Sequence, residues 1–97
     1  MKKYFIASLI KNGIIGGGIL ADTEAITYRT NKLTVAKEYR NIEMKYSEIE
    51  SASFGCLLIF PTVTIKMKNG TEYKFIVFGR KGFCNALTEM GVKVDLK

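Results

Sequence analysis

Glu43, Glu48 and Glu50 lie close together in the chain, and paired carboxylates can divide acid and base roles. Alternation with apolar neighbours places them instead on the solvent side of strands and a turn. The sequence contains no histidine, so there is no imidazole base, no Cys-His nucleophile pair and no Cys/His zinc set. Its two cysteines, Cys56 and Cys84, form no CxxC and sit among apolar neighbours, which reads as two buried structural thiols. Gly16-Gly17-Gly18-Ile19-Leu20-Ala21 fits G-x-G-x-x-A. A dinucleotide site needs a strand before that run and a helix starting within it. Here a polar turn and another strand follow. No GK[ST] phosphate loop is present. Asn69-Gly70-Thr71 has the form of a glycosylation sequon, but hairpin-turn chemistry accounts for it. These residues predict no enzyme, no metal and no cofactor.

Charge offers a different kind of site. Lys plus Arg is 15 and Asp plus Glu is 9, a net charge of +6. That balance favours acidic partners: anionic lipid, nucleic acid or an acidic protein surface. Lys66 and Lys74 fall on outward strand positions, and Arg80 and Lys81 open a predicted helix. Free N–H groups and the helix dipole already favour anions there. The expected anion-accepting or lipid-binding patch is therefore Lys66, Lys74, Arg80 and Lys81. Ile76 and Phe78 lie on the nominally outward face of a strand. They mark either an interface or a surface covered by an N-terminal arm.

The elements that must position these residues are mostly strands. Residues 1–12 hold a short apolar run, Tyr4–Ile10, interrupted by Lys11-Asn12. It is too short to span a membrane and reads as a strand or arm. Gly17–Ala21 is a glycine-weakened strand. Asp22-Thr23-Glu24 is a turn, and Ala25–Thr30 follows with Ile26 and Tyr28 on one face. Asn31–Tyr39 has no clean period and reads as a loop. Arg40–Tyr46 alternates again, and Ile49–Phe54 is less regular. Thr62–Phe78 is a hairpin. Its face pattern selects a three-residue loop, Lys68-Asn69-Gly70, which pairs Met67 with Thr71, Ile65 with Tyr73 and Val63 with Phe75. Then the period changes. Phe83, Ala86, Leu87 and Met90 form a helical stripe, and Gly91 stands at the C-terminal cap. The tail, Val92–Lys97, adds a little extended structure or frays.

The 97 residues thus form one domain, mainly β with one C-terminal α-helix. Six antiparallel strands must curl to protect their edges, which gives a small barrel or bent sandwich capped by the helix.

The segments Gly17–Tyr28, Tyr46–Ser51, Val63–Phe78 and Arg80–Met90 resemble the GRAM-like subset of pleckstrin-homology-like domains, small bacterial type. The resemblance covers Gly17 to Met90. It implies a pleckstrin-homology-like barrel and a binding scaffold for lipids, phosphoinositides or proteins. Phosphoinositide-binding members carry basic residues around the first hairpin loop. Here the loop read as first is Asp22-Thr23-Glu24, which argues against headgroup binding at that site.

The expected function is a non-enzymatic binding module, for a protein partner or for a second copy of itself. Peripheral attachment to anionic membrane comes next. Single-stranded nucleic-acid binding is third, because most aromatics (Tyr28, Tyr46, Tyr73, Phe75, Phe83) fall on core faces and not on a stacking platform. The expected location is the cytoplasm, with peripheral membrane attachment as the variant.

Overall fold

The computed structural model describes residues 2–11, 13–31 and 36–95. Among the described residues, eight strands form a single sheet: β1 (Lys3–Ile10), β2 (Ile14–Ala21), β3 (Ala25–Arg29), β4 (Asn41–Lys45), β5 (Ile49–Leu57), β6 (Phe60–Met67), β7 (Glu72–Val77) and β8 (Val94–Asp95). One helix, α1 (Arg80–Glu89), lies between β7 and β8. Single 3-10 turns precede and follow β4. The strand order is β4-β3-β2-β1-β7-β6-β5-β8, open at β4 and β8. All pairings are antiparallel except β5 with β8.

Two strands exceed the six expected, one at each end of the chain. Of the two readings of Tyr4–Ile10, the strand holds and the overlying arm does not. It is β1, at the centre of the sheet, paired with β2 on one side and β7 on the other. The first hairpin is therefore β1–β2, and Asp22–Glu24 is the second turn. There the Asp22 carboxylate accepts the backbone N–H groups of Glu24 and Ala25 at 2.8 and 2.9 Å. Those bonds hold its pKa below the ordinary value. The tail supplies β8. The loop expected over Asn31–Tyr39 contains a 3-10 turn at Lys37–Tyr39, and its residues 32–35 lie outside the described residues.

The β6–β7 hairpin has the predicted register, with Val63 opposite Phe75 and Ile65 opposite Tyr73. Gly70 takes φ +94°, and the Asn69 side chain accepts the Thr71 N–H at 2.9 Å. The loop thus uses the sequon residues as turn chemistry. The helix ends as its glycine demands. Gly91 is left-handed at φ +82°, and its N–H donates to Thr88. The Val92 N–H donates to Leu87, completing a Schellman cap, and Val92 itself is buried.

One cluster of buried side chains joins the two wings of the sheet. Ile26, Tyr28, Ile42 and Met44 come from β3 and β4, and Ile49, Ala52, Val63 and Ile65 from β5 and β6. The sheet must therefore curl around them. Phe83 and Leu87 of α1 complete the cluster from one end. Phe83 meets Phe5 edge to face, centroids 5.3 Å apart. Burying this stripe against the sheet holds α1 in place, since a ten-residue helix is marginal alone.

Candidate functional site

Alternation along β1 sends Ala7 and Leu9 inward and Tyr4, Ile6, Ser8 and Ile10 outward. On β2 the outward partners are Leu20, Gly18, Gly16 and Ile14. The outcome is a sheet face that keeps apolar side chains in water. Tyr4 is 67% exposed and Ile6 63% exposed, with Ile14, Leu20 and Phe78 also exposed. The middle of this face is flat. Gly16 and Gly18 carry no side chain, and the Tyr4 ring lies across Gly18, where a Cβ would collide with the phenol.

Phe78 stands where an interface residue should. Its N–H donates to the Ile6 carbonyl at 3.0 Å, which sets it beside Ile6 on the outer face. Ile76 does not. It is only 3% exposed, on an interior strand with Ser8 and Thr62 as its cross-strand partners. Of its two readings, Ile76 is therefore no exposed interface residue but a covered one, and β1 stands beside it as a paired strand and not over it as an arm.

The apolar surface continues into a projecting tip. The β5–β6 pairing runs to Leu57 opposite Phe60, which leaves Leu58 and Ile59 as a two-residue turn. Those two side chains are 88% and 89% exposed. Leu58 has φ +58°, the one left-handed non-glycine among the described residues. That conformation costs a leucine about 1–2 kcal/mol, and asparagine or glycine would be the ordinary choice there. Extending the β6–β7 register sets Phe60 beside Phe78. Exposed apolar side chains thus run from the tip through Phe78 and Ile6 to Tyr4 and Leu20.

No family model matches the chain, and no curated protein matches it. Among solved structures it is similar to the C-terminal domain of an unknown protein from Leishmania infantum. The TM-score is 0.75 at 11% sequence identity, covering 91% of this chain and 80% of that one. At that identity the likeness concerns the fold, a mainly β sheet with a C-terminal helix.

Two of the four expected cations stand at this apolar end. The Arg80 guanidinium donates to the Gly55 carbonyl at 2.7 Å and lies 4.9 Å from the centroid of the Phe54 ring. Lys81 is exposed beside it. No side chain caps the N-terminus of α1, where Gly79 is left-handed at φ +80°. Lys3, exposed at the start of β1, lies at the same end, because Phe5 packs against Phe83 and close to Gly79 and Gly82. The other two cations are elsewhere. Lys66 pairs with Glu50 at 3.2 Å and sits opposite Glu72. Lys74 lies opposite Thr64, four residues and about 13 Å of strand before Phe78. The expected four-residue patch is split, because the hairpin carries Lys66 and Lys74 away from the helix start.

The cysteines also part ways with expectation. Cys84 is partly buried on α1, but Cys56 is exposed. Its apolar neighbours form the projecting tip, so they give it no cover.

Sequence reasoning missed Leu58 and Ile59. The run Cys56–Phe60 is apolar throughout and carries no turn residue, so nothing in its chemistry announces a turn.

A shallow cleft of about 510 Å³ opens on the other side, between the Asp22–Glu24 turn and the end of α1. Tyr46 lines it, and its hydroxyl donates to the Asp22 carbonyl at 2.8 Å. Burial, and then the negative charge of Asp22, push the Tyr46 pKa up to about 12 from an ordinary 10.0. The folded state therefore favours the protonated phenol. Its contribution to stability is intact below pH 10.0 and is lost as the pH rises through about 12. Wild-type stability is expected to fall more steeply across that window than that of Tyr46→Phe. Chemical denaturation at a series of pH values measures the difference, and parallel curves would sink the assignment.

Proposed function

We propose that this domain is a non-enzymatic binding module on a pleckstrin-homology-like frame, and that it binds a second copy of itself through the outer face of β2 and β1. The frame reading is supported by an antiparallel sheet that curls around one core and by a C-terminal helix that closes one end.

The observation that carries the binding reading is the exposed face of Tyr4, Ile6, Ile14, Leu20 and Phe78. Five side chains of this size, about half exposed, present on the order of 400 Å² of apolar surface, which is the scale of a functional patch. Three features favour a second copy as occupant. The face is flat at its centre, so it meets its own image without a pocket or a knob. A two-fold pairing needs one patch only, used by both partners. The rim carries both signs, Arg29 and Lys74 with Glu43 and Glu72, so a two-fold pair can set opposite charges together. The net charge of +6 opposes association, which added salt should relieve.

Sedimentation equilibrium tests this directly. The expected result is a monomer–dimer equilibrium that tightens from low to moderate salt and is abolished by Ile6→Glu. Ile6 is exposed, so that variant keeps its fold. A wild-type chain that stays monomeric up to the solubility limit would overturn the reading. So would a dimer that Ile6→Glu leaves intact.

A further inference from the structure

The projecting β5–β6 tip differs in kind from the flat face. Leu58 and Ile59 stand out from a two-residue turn, nearly fully in water. Three features of the tip bear on what covers them.

The first is shape. The tip is a convex knob, held out by a hairpin whose pairing continues to Leu57 and Phe60. A protein partner would need a matching pocket. A bilayer needs none, because its acyl chains and headgroups rearrange around whatever enters them.

The second is sequence against geometry. A tight turn closed with Leu58 in the left-handed region is the wrong turn chemistry for a solvated hairpin. Both turn residues are aliphatic, where a merely connecting turn would use asparagine, aspartate or glycine. The residue choice serves the tip's contact and not its backbone.

The third is charge. Arg80 and Lys81 flank the base of the hairpin, with Arg80 tied to Gly55, three residues before the turn. Lys3 joins them from the start of β1. Basic residues set back from an apolar point reach the level of anionic headgroups when the point enters the acyl boundary. Glu50 and Glu72 lie at the far ends of β5 and β7, and the carboxylate nearest the tip along the sheet is Asp95, beside Ser53 and four residues short of Leu57.

We infer that the β5–β6 tip is a membrane-inserting element: Leu58 and Ile59 enter the interface of a bilayer rich in anionic lipid, while Arg80, Lys81 and Lys3 face its headgroups. The tip adjoins the dimer face at Phe78, but its insertion needs neither the dimer nor the residues of that face.

The chain contains no tryptophan, so Ile59→Trp introduces a single reporter at the tip. Its emission is expected to shift to the blue on vesicles of mixed phosphatidylcholine and phosphatidylglycerol, and to be quenched by lipids brominated along the acyl chain. Phosphatidylcholine vesicles alone should give a much smaller shift. In parallel, the double variant Leu58→Asn, Ile59→Gly keeps a residue pair suited to the turn and removes the aliphatic side chains. It is expected to sediment with anionic vesicles at least about tenfold more weakly than wild type while melting at or above the wild-type temperature, because the turn strain is relieved. Lys81→Glu, at an exposed position, should weaken binding at low salt and matter less at high salt. An unshifted, unquenched tryptophan on anionic vesicles would overturn the inference. Equal vesicle binding by the double variant and wild type would also overturn it.

Discussion

Phe83→Ala is expected to lower the unfolding free energy by about 3–5 kcal/mol. Phe83 is fully buried and joins α1 to two partners at once: the central core cluster and the edge of the Phe5 ring. Removing it leaves a cavity between elements far apart in sequence, where collapse to fill the gap would require α1 to shift as a unit. For a domain of this length that loss corresponds to a fall in melting temperature of roughly 15–30 °C. Thermal unfolding followed by circular dichroism reads it. A fall of only a few degrees would mean that α1 is held by Leu87 and Ala86 and that the aromatic contact is incidental. The same variant bears on the basic rim. Arg80 and Lys81 owe their place to the first turn of α1, so loosening Phe83 should also weaken vesicle binding.

The second large effect separates two adjacent glycines. Gly17 faces inward beneath the Tyr28 ring, and a Cβ there would collide with the backbone carbonyl of Arg29. That carbonyl belongs to the neighbouring strand and cannot swing away. The Tyr28 hydroxyl also spans this point, donating to the Ile15 carbonyl at 2.6 Å. Gly17→Ala is expected to cost about 2–3 kcal/mol, as overpacking that pries β2 from β3. Gly18 faces outward, and its Cβ would collide with the far end of the Tyr4 side chain. Tyr4 is mostly exposed and can rotate, so Gly18→Ala should cost less than about 1 kcal/mol. Urea denaturation of the two variants checks the ordering. Equal losses would show that β2 tolerates neither or both, and that strand approach is not what selects glycine at position 17.

Local pattern made much of this fold legible. In β6 and β7 the alternation was strict and the Asn-Gly pair marked the turn, so register followed from which side chains had to share a face. The stripe Phe83, Ala86 and Leu87 gave α1, and Gly91 its end. The inward residues of β3 and β4, Ile26, Tyr28, Ile42 and Met44, were readable in the same way. Strand order was not readable. Nothing local to Tyr4–Ile10 says that its second partner is β7, because such pairing is decided by the whole core. That one gap left Tyr4–Ile10 open between strand and arm, and Ile76 open between an interface and a covered surface. The site failed for a complementary reason. Leu58 and Ile59 look like core residues by composition, and only their place at the end of a hairpin puts them in water. Lys66 and Lys74 were correctly set outward, but the distance from them to Arg80 depends on which end of a strand each occupies.

The central position of β1 also bears on how the chain is made. Ala7 pairs with Val77, 70 residues later. During synthesis β1 and β2 leave the ribosome early and can join as a hairpin at once. The seam between β1 and β7 has to wait for most of the chain. Until then the inward side chains of β1 (Phe5, Ala7 and Leu9) have no β7 to pack with, and one long edge of the nascent hairpin is unpaired. Folding should therefore be slow for the chain's size and complete only late in translation. The interval before β7 emerges is when a chaperone has most to bind.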